Sequence, residues 1–98
     1  MAKFSRIDVI LEMRSTGLVP LYFNNDVKTC IKVVKACYDG GIRIFEFTNR
    51  GDFAHEVFSE LNKYALKNLP GLIIGTGSVI DSPTAALYMQ LGSNFIVS

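Results

Sequence analysis

Tryptophan is absent from this 98-residue chain, histidine occurs once, cysteine twice, and neither sign of charge dominates. Each shortage removes a class of function. Ten Lys and Arg against nine Asp and Glu leave a formal charge of +1. That is too little for a nucleic-acid surface driven by bulk electrostatics, or for a polybasic membrane sensor. No apolar run approaches the ~18–20 residues that span a bilayer. Near the amino end, Arg6, Asp8, Glu12 and Arg14 interrupt the apolar stretch that a secretory leader needs, so a cytoplasmic location is expected. Cys30 and Cys37 fall on one expected helix with Cα atoms roughly 10 Å apart, beyond the ~7 Å reach of a disulfide. With no CxxC spacing and a lone His55, a metal site is not expected. The two thiols are expected in the core, and His55, off the apolar stripe of its helix, at the surface.

What is present is a globular balance, 49% apolar and 19% charged, in a length that holds one domain over residues 1–98. Short apolar runs alternate with amphipathic stretches. Ser5 with Asp8 predicts a capped leading helix to about Thr16, with Ile7, Ile10 and Leu11 on one face and Gly17 as its stop. Residues 19–23 (VPLYF) predict a strand. Residues 26–39 carry Val27, Cys30, Ile31, Val34, Cys37 and Tyr38 at helical spacing, ended by Gly40-Gly41. A second strand is expected over residues 42–48 (IRIFEFT), then a helix over 52–67 with Phe53, Ala54, Val57, Phe58, Leu61, Tyr64 and Ala65 on its apolar side. Residues 72–78 (LIIGTGS) predict a third strand. Ser82 as cap with Pro83 opens a helix to about Leu91, and residues 94–98 (NFIVS) predict a fourth strand. Strand, helix, strand at this spacing means parallel strands with crossover helices, an α/β fold. The chain closes on an apolar strand with no helix to cover it, which resembles an interrupted unit.

Alternation in the second strand places Glu46, Thr48 and Arg50 on one side, opposite Phe45, Phe47 and Asn49. A carboxylate in a strand buried on both faces is costly unless paired or used. Glu46 is therefore a candidate general acid/base, the alternative being a salt bridge without chemical consequence. Arg50, just past the strand, suits an anionic ligand; a solvated loop arginine is the alternative. Gly75-Thr76-Gly77-Ser78 matches neither GxGxxG nor a phosphate loop, and with the glycines toward the helices, Thr76 and Ser78 would share the side of Glu46. Asn24-Asn25-Asp26 is expected to serve as turn and cap. The aromatics Tyr22, Phe23, Phe45, Phe47, Phe53 and Phe58 suit core packing, since basic residues do not interleave them.

Together, GGIRIFEFTNRG, then IIGTGSVID about two dozen residues on, then LGSNFIVS resemble the N-terminal half of the 2-keto-3-deoxy-6-phosphogluconate and 4-hydroxy-2-oxoglutarate aldolase family, from about Gly17 to Ser98. The resemblance implies a partial (β/α)₈ barrel with a leading helix, about four parallel strands and three crossover helices. It also implies a trimer in the intact family and a class I lyase that joins pyruvate to a lysine as a Schiff base, without metal or cofactor. By the same resemblance Glu46 is the proton-shuttling residue and Arg50 holds the carboxylate of a small 2-oxo acid. Ser78, where the family more often has threonine, assists Arg50, and Thr48 lines the substrate side. Asn49 stands where an apolar residue is commoner. The family's Schiff-base lysine sits on a later strand in a Phe-Lys-x-Phe-Pro-like setting that is missing here. Lys3, Lys28, Lys32, Lys35, Lys63 and Lys67 all fall on expected helices or at the N-terminal tip. Ninety-eight residues is under half of the ~200 that such a barrel needs, so the chain alone is expected to be inactive. The other reading is a non-catalytic half-barrel module that pairs with a second copy.

Overall fold

In a computed structural model describing residues 1–98, the first helix, α1 (Arg6–Thr16), opens on a reciprocal cap. The Ser5 hydroxyl accepts from Asp8 N–H at 3.1 Å, and the Asp8 carboxylate accepts from Ser5 N–H at 2.9 Å. Gly17, at φ 66°, closes the helix in the left-handed region that favours glycine. The elements that follow are β1 (Leu21–Tyr22), α2 (Val27–Asp39), β2 (Ile44–Thr48), α3 (Ala54–Asn68), β3 (Ile73–Gly77) and α4 (Ser82–Gln90). The strands form one parallel sheet in the order β1-β2-β3. None of the helices is long and apolar enough to cross a membrane.

Both edges of the sheet are shorter than the sequence suggests. Pro20 has no N–H to donate and enters the ladder only through its carbonyl, which accepts from Glu46 N–H at 2.8 Å, so β1 shrinks to two residues. Residues 94–98 run parallel to β3 but meet it through a single bridge, Thr76 to Ile96. Thr76 N–H donates to Phe95 C=O at 2.9 Å, and Val97 N–H donates to Thr76 C=O at 2.8 Å. The fourth strand is thus a bridged edge segment rather than a full ladder.

Register fixes the two faces. Leu21 lies opposite Glu46, Glu46 opposite Gly75, and Phe47 opposite Thr76. On the outer face, Phe45, Phe47 and Ile74 join Cys30 and Val34 of α2, and Ala54, Val57, Phe58, Leu61 and Ala65 of α3, in the main core. Phe47 meets Phe23 edge-on with centroids 5.6 Å apart, and Phe58 bridges Phe47 to Tyr88 at 5.6 and 5.3 Å. The inner face has a smaller cluster at its amino end, where Ile44 and Ile73 meet Val9 of α1, with Phe4, Met13, Val19 and Phe95 against them. α1 therefore plugs the bottom of the inner face and leaves its carboxyl end open. Sitting at the end of the sheet, the helix buries only Val9, and Ile7, Ile10 and Leu11 stay exposed.

Two helix starts differ from expectation. Phe53 does not pack on the apolar side of α3; it precedes the helix at φ 59° and is 68% exposed, because the turn out of β2 is completed there before helical geometry begins. α4 is capped by Asp81 rather than Ser82: the Asp81 carboxylate accepts from Thr84 N–H at 2.8 Å, putting Ser82 and Pro83 in the first turn. The cap at α2 is as expected. Asp26 accepts from the Thr29 hydroxyl at 2.6 Å and from Thr29 N–H at 3.1 Å, and these bonds lower its carboxyl pKa below the usual value.

Candidate active site

Glu46 sits mid-strand in β2 on the inner face, half-buried, with fully buried neighbours on either side. Within these 98 residues Glu46 has no salt-bridge partner. The ion pairs of the molecule are Lys35–Asp39 and Lys63–Glu60, both on exposed helix surfaces, and Glu46 takes part in neither. Thr48, two residues on, faces the same way and is 2% exposed. Arg50 lies beyond the strand end and is exposed; its N–H folds back to Thr48 C=O at 3.0 Å, so strand alternation no longer fixes its direction.

The third strand presents its residues the other way round from the expectation. Opposite Glu46 and Thr48 stand Gly75 and Gly77, which places both glycines on the inner face. Thr76 faces the helices: it is fully buried, and its hydroxyl lies 3.0 Å from Ser93 Oγ. The Ser93 proton goes to Phe95 C=O at 2.9 Å, so Thr76 is the donor of the pair. Alternation within one strand cannot tell which of its sides a neighbouring strand will share; only the pairing register does. Ser78 leaves the strand at φ 58°, so the alternation that placed it beside Glu46 ends there. A left-handed serine at a strand end is the kind of backbone strain that gathers at functional sites.

Behind this end of the sheet the turns are tied down. The Tyr88 hydroxyl donates to Asn49 Oδ1 at 2.7 Å, and Asn49 N–H donates to Gly77 C=O at 2.9 Å. Asn49, set among apolar expectations in the sequence, is thus the anchor of the turn that leads to Arg50; the partner that explains it is 39 residues away. Burial pushes the Tyr88 phenol up to about 12. Because the folded value lies above the ordinary value of 10, the stabilising contribution is complete below about pH 10 and is lost as pH rises through about 12. Tyr88→Phe is expected to cost about 0.5–1.5 kcal/mol at neutral pH and to flatten this alkaline decline, as thermal melts from pH 8 to 12 would show.

Asn24 and Asp26 serve as turn and cap, Asn24 Oδ1 accepting from Asp26 N–H at 2.8 Å. His55 is partly buried rather than open, in the first turn of α3. Cys30 is buried, its thiol donating to Asn24 C=O at 3.2 Å, and burial pushes that thiol up. No three His, Cys, Asp or Glu side chains converge. The largest cleft, about 790 Å³, lies beside α3 among Asp52, Phe53, His55 and Glu56 and excludes Glu46. The Glu46 site is an open face rather than a closed pocket.

A parallel sheet with helices packed on its outer face and a carboxylate on its inner one has the architecture of part of an α/β barrel. The comparisons give the family. A family model described as KDPG and KHG aldolase matches residues 9–98. A 2-dehydro-3-deoxy-phosphogluconate aldolase of Pseudoalteromonas atlantica is 33% identical over 81 residues, covering 83% of this chain and 36% of that protein. The corresponding aldolase of Zymomonas mobilis is 25% identical over 91 residues, covering 93% and 41%. The crystal structure of the 2-keto-3-deoxy-6-phosphogluconate aldolase of Zymomonas mobilis ZM4 with 3-phosphoglycerate superposes with a TM-score of 0.77 at 25% identity, over 93% of this chain and 41% of that one. The chain belongs to the KDPG and KHG aldolase family, and it spans well under half the length of these relatives.

Proposed function

We propose that this chain supplies the first strands and the proton-transfer carboxylate of a class I aldolase acting on a 2-oxo acid. The substrate is 2-keto-3-deoxy-6-phosphogluconate, cleaved to pyruvate and glyceraldehyde 3-phosphate, or 4-hydroxy-2-oxoglutarate, cleaved to pyruvate and glyoxylate. The observation that carries this reading is Glu46, a carboxylate without an ionic partner on the inner face of the sheet in a chain of this family. In the proposed reaction a lysine amine condenses with the 2-oxo carbon and water leaves. Glu46 takes the proton of the C4 hydroxyl as the C3–C4 bond breaks, and the electron pair passes into the iminium to give an enamine. Arg50 holds the carboxylate of the substrate with Ser78 beside it, and Thr48 packs below. The lysine comes from outside these residues. All six lysines here are exposed, on α2, α3 or the amino-terminal tip, and none is on a strand. The working enzyme is a cytoplasmic homo-oligomer, a trimer, that needs no metal or cofactor.

The test is to join the chain at Ser98 to the carboxyl-terminal remainder of the Pseudoalteromonas aldolase. The fusion is expected to release pyruvate from 2-keto-3-deoxy-6-phosphogluconate and to be trapped on a lysine by borohydride with pyruvate, whereas the 98-residue chain alone does neither. Trapping of the short chain would place the nucleophile among its own lysines. The edge at residues 94–98 favours a second reading, a non-catalytic module that closes its sheet on another copy. Ile96 N–H and C=O make no backbone bond, and an apolar cleft of about 470 Å³ opens beside them among Phe4, Val9, Met13 and Phe95. Sedimentation at micromolar concentration decides it: a dimer supports the module, and a stable, cooperatively unfolding monomer excludes it.

A further inference from the structure

The GxG of β3 has a use that its backbone does not explain. Positive φ favours glycine, and the glycines in that region are Gly17, Gly41, Gly71 and Gly92; Gly75 and Gly77 are not among them. Their backbone is ordinary strand, where any residue fits and glycine weakens the ladder. What they provide is room. A Cβ at Gly75 would run into the ring of Phe95, which lies across it from residues 94–98. A Cβ at Gly77 would collide with Oε2 of Glu46 and come within 3.1 Å of its Cγ. The inner face of β3 is thus filled from both sides by its neighbours, an aromatic ring at one level and the carboxylate at the next.

We infer that Gly77 is a positioning residue: its missing side chain forms the seat in which the Glu46 carboxylate rests. The inference builds on the acid/base reading of Glu46 proposed above. Glu46 reaches this seat along a flexible stem and has no ion pair to hold it elsewhere. An added methyl at Gly77 meets the movable end of a side chain, whereas one at Gly75 meets a packed ring. The two substitutions therefore separate. Gly77→Ala keeps the fold and moves the carboxylate; Gly75→Ala disturbs packing and leaves the Glu46 seat as it was. A catalytic group displaced by about 1 Å can lose about 10²-fold in rate.

The test needs no turnover and uses the 98-residue chain. In the wild type, the Glu46 Hγ protons are expected to show nuclear Overhauser contacts to the Gly77 Hα protons. In Gly77→Ala those contacts are lost and the Glu46 carboxyl ¹³C signal shifts, while the signals of Glu56 and Glu60 on α3 stay in place. Absence of the wild-type contact overturns the inference even if the variant fails to fold. So does an unmoved Glu46 signal in a folded Gly77→Ala. In the aldolase fusion, Gly77→Ala is expected to lower kcat about 10²-fold with little change in KM, and to add nothing in a Glu46→Gln background. An equal further loss in that background means that Gly77 acts independently of Glu46. A fusion without activity, beside an intact Glu46–Gly77 contact, counts against the aldolase reading and not against the seat.

Discussion

Glu46→Gln in the aldolase fusion is expected to lower kcat by about 10²–10⁴-fold while pyruvate binding stays close to that of the unsubstituted fusion. Glutamine keeps the length and shape of the side chain, so it still fills the space over Gly77. What it loses is the capacity to take a proton and return it. Arg50→Ala divides differently: in the proposed mechanism the guanidinium holds the substrate carboxylate and takes no proton, so KM for the 2-oxo acid is expected to rise first. Steady-state kinetics on both variants separates the roles. Near-normal turnover in Glu46→Gln would end the acid/base assignment.

Phe58→Ala is expected to have the largest effect on stability. The ring is fully buried and stands between Phe47 and Tyr88, so its removal leaves a void that touches β2, α3 and α4 together. A cavity of this kind costs about 3–5 kcal/mol, against a total of about 5–15 kcal/mol for a small domain. The midpoint of thermal unfolding should fall by roughly 15–30 °C. Leu66→Ala, on the same helix but half exposed, is expected to change stability by no more than about 0.5 kcal/mol. Calorimetry on the pair tests whether the aromatic row, rather than the helix as such, holds the outer layer.

The order of elements was legible because helical and strand periods alternate without ambiguity from Val27 to Gly77. The sides of β2 were legible too, since Phe45 and Phe47 could go only under helices and Glu46 could not. The same reasoning misplaced Thr76, because the side it shares with Phe47 depends on how two strands are paired, and pairing is not a property of either strand alone. The glycines of β3 did carry a usable signal: glycine inside a strand marks a close approach, here by Phe95 and Glu46. Phe53 was misread for a different reason. Its spacing fits the stripe of α3, but the chain spends that residue on a left-handed turn before the helix begins. The role proposed for Ser78 rests on family resemblance, whereas the guanidinium of Arg50 by itself suits an anionic ligand; both lie past the strand ends, where alternation no longer constrains direction.

The Asn94 side chain has a consequence for the order in which the molecule assembles. Its Oδ1 accepts from the N–H groups of Lys3 and Phe4, both at 3.0 Å, and its Nδ2 donates to Ile74 C=O at 3.0 Å. One amide thus joins segments 91 and 90 residues apart in the chain. Closing a loop of that length costs about 4 kcal/mol in chain entropy, more than two hydrogen bonds of about 1 kcal/mol each return. The clasp on residues 3 and 4 can therefore close only after the strand and helix units have brought Asn94 to the bottom of the sheet. Contacts that close last for so small a return are also the first to open under native conditions. Breathing of the molecule is then expected to begin where residues 3 and 4 meet Asn94, while the helical layer behind Glu46 stays shut.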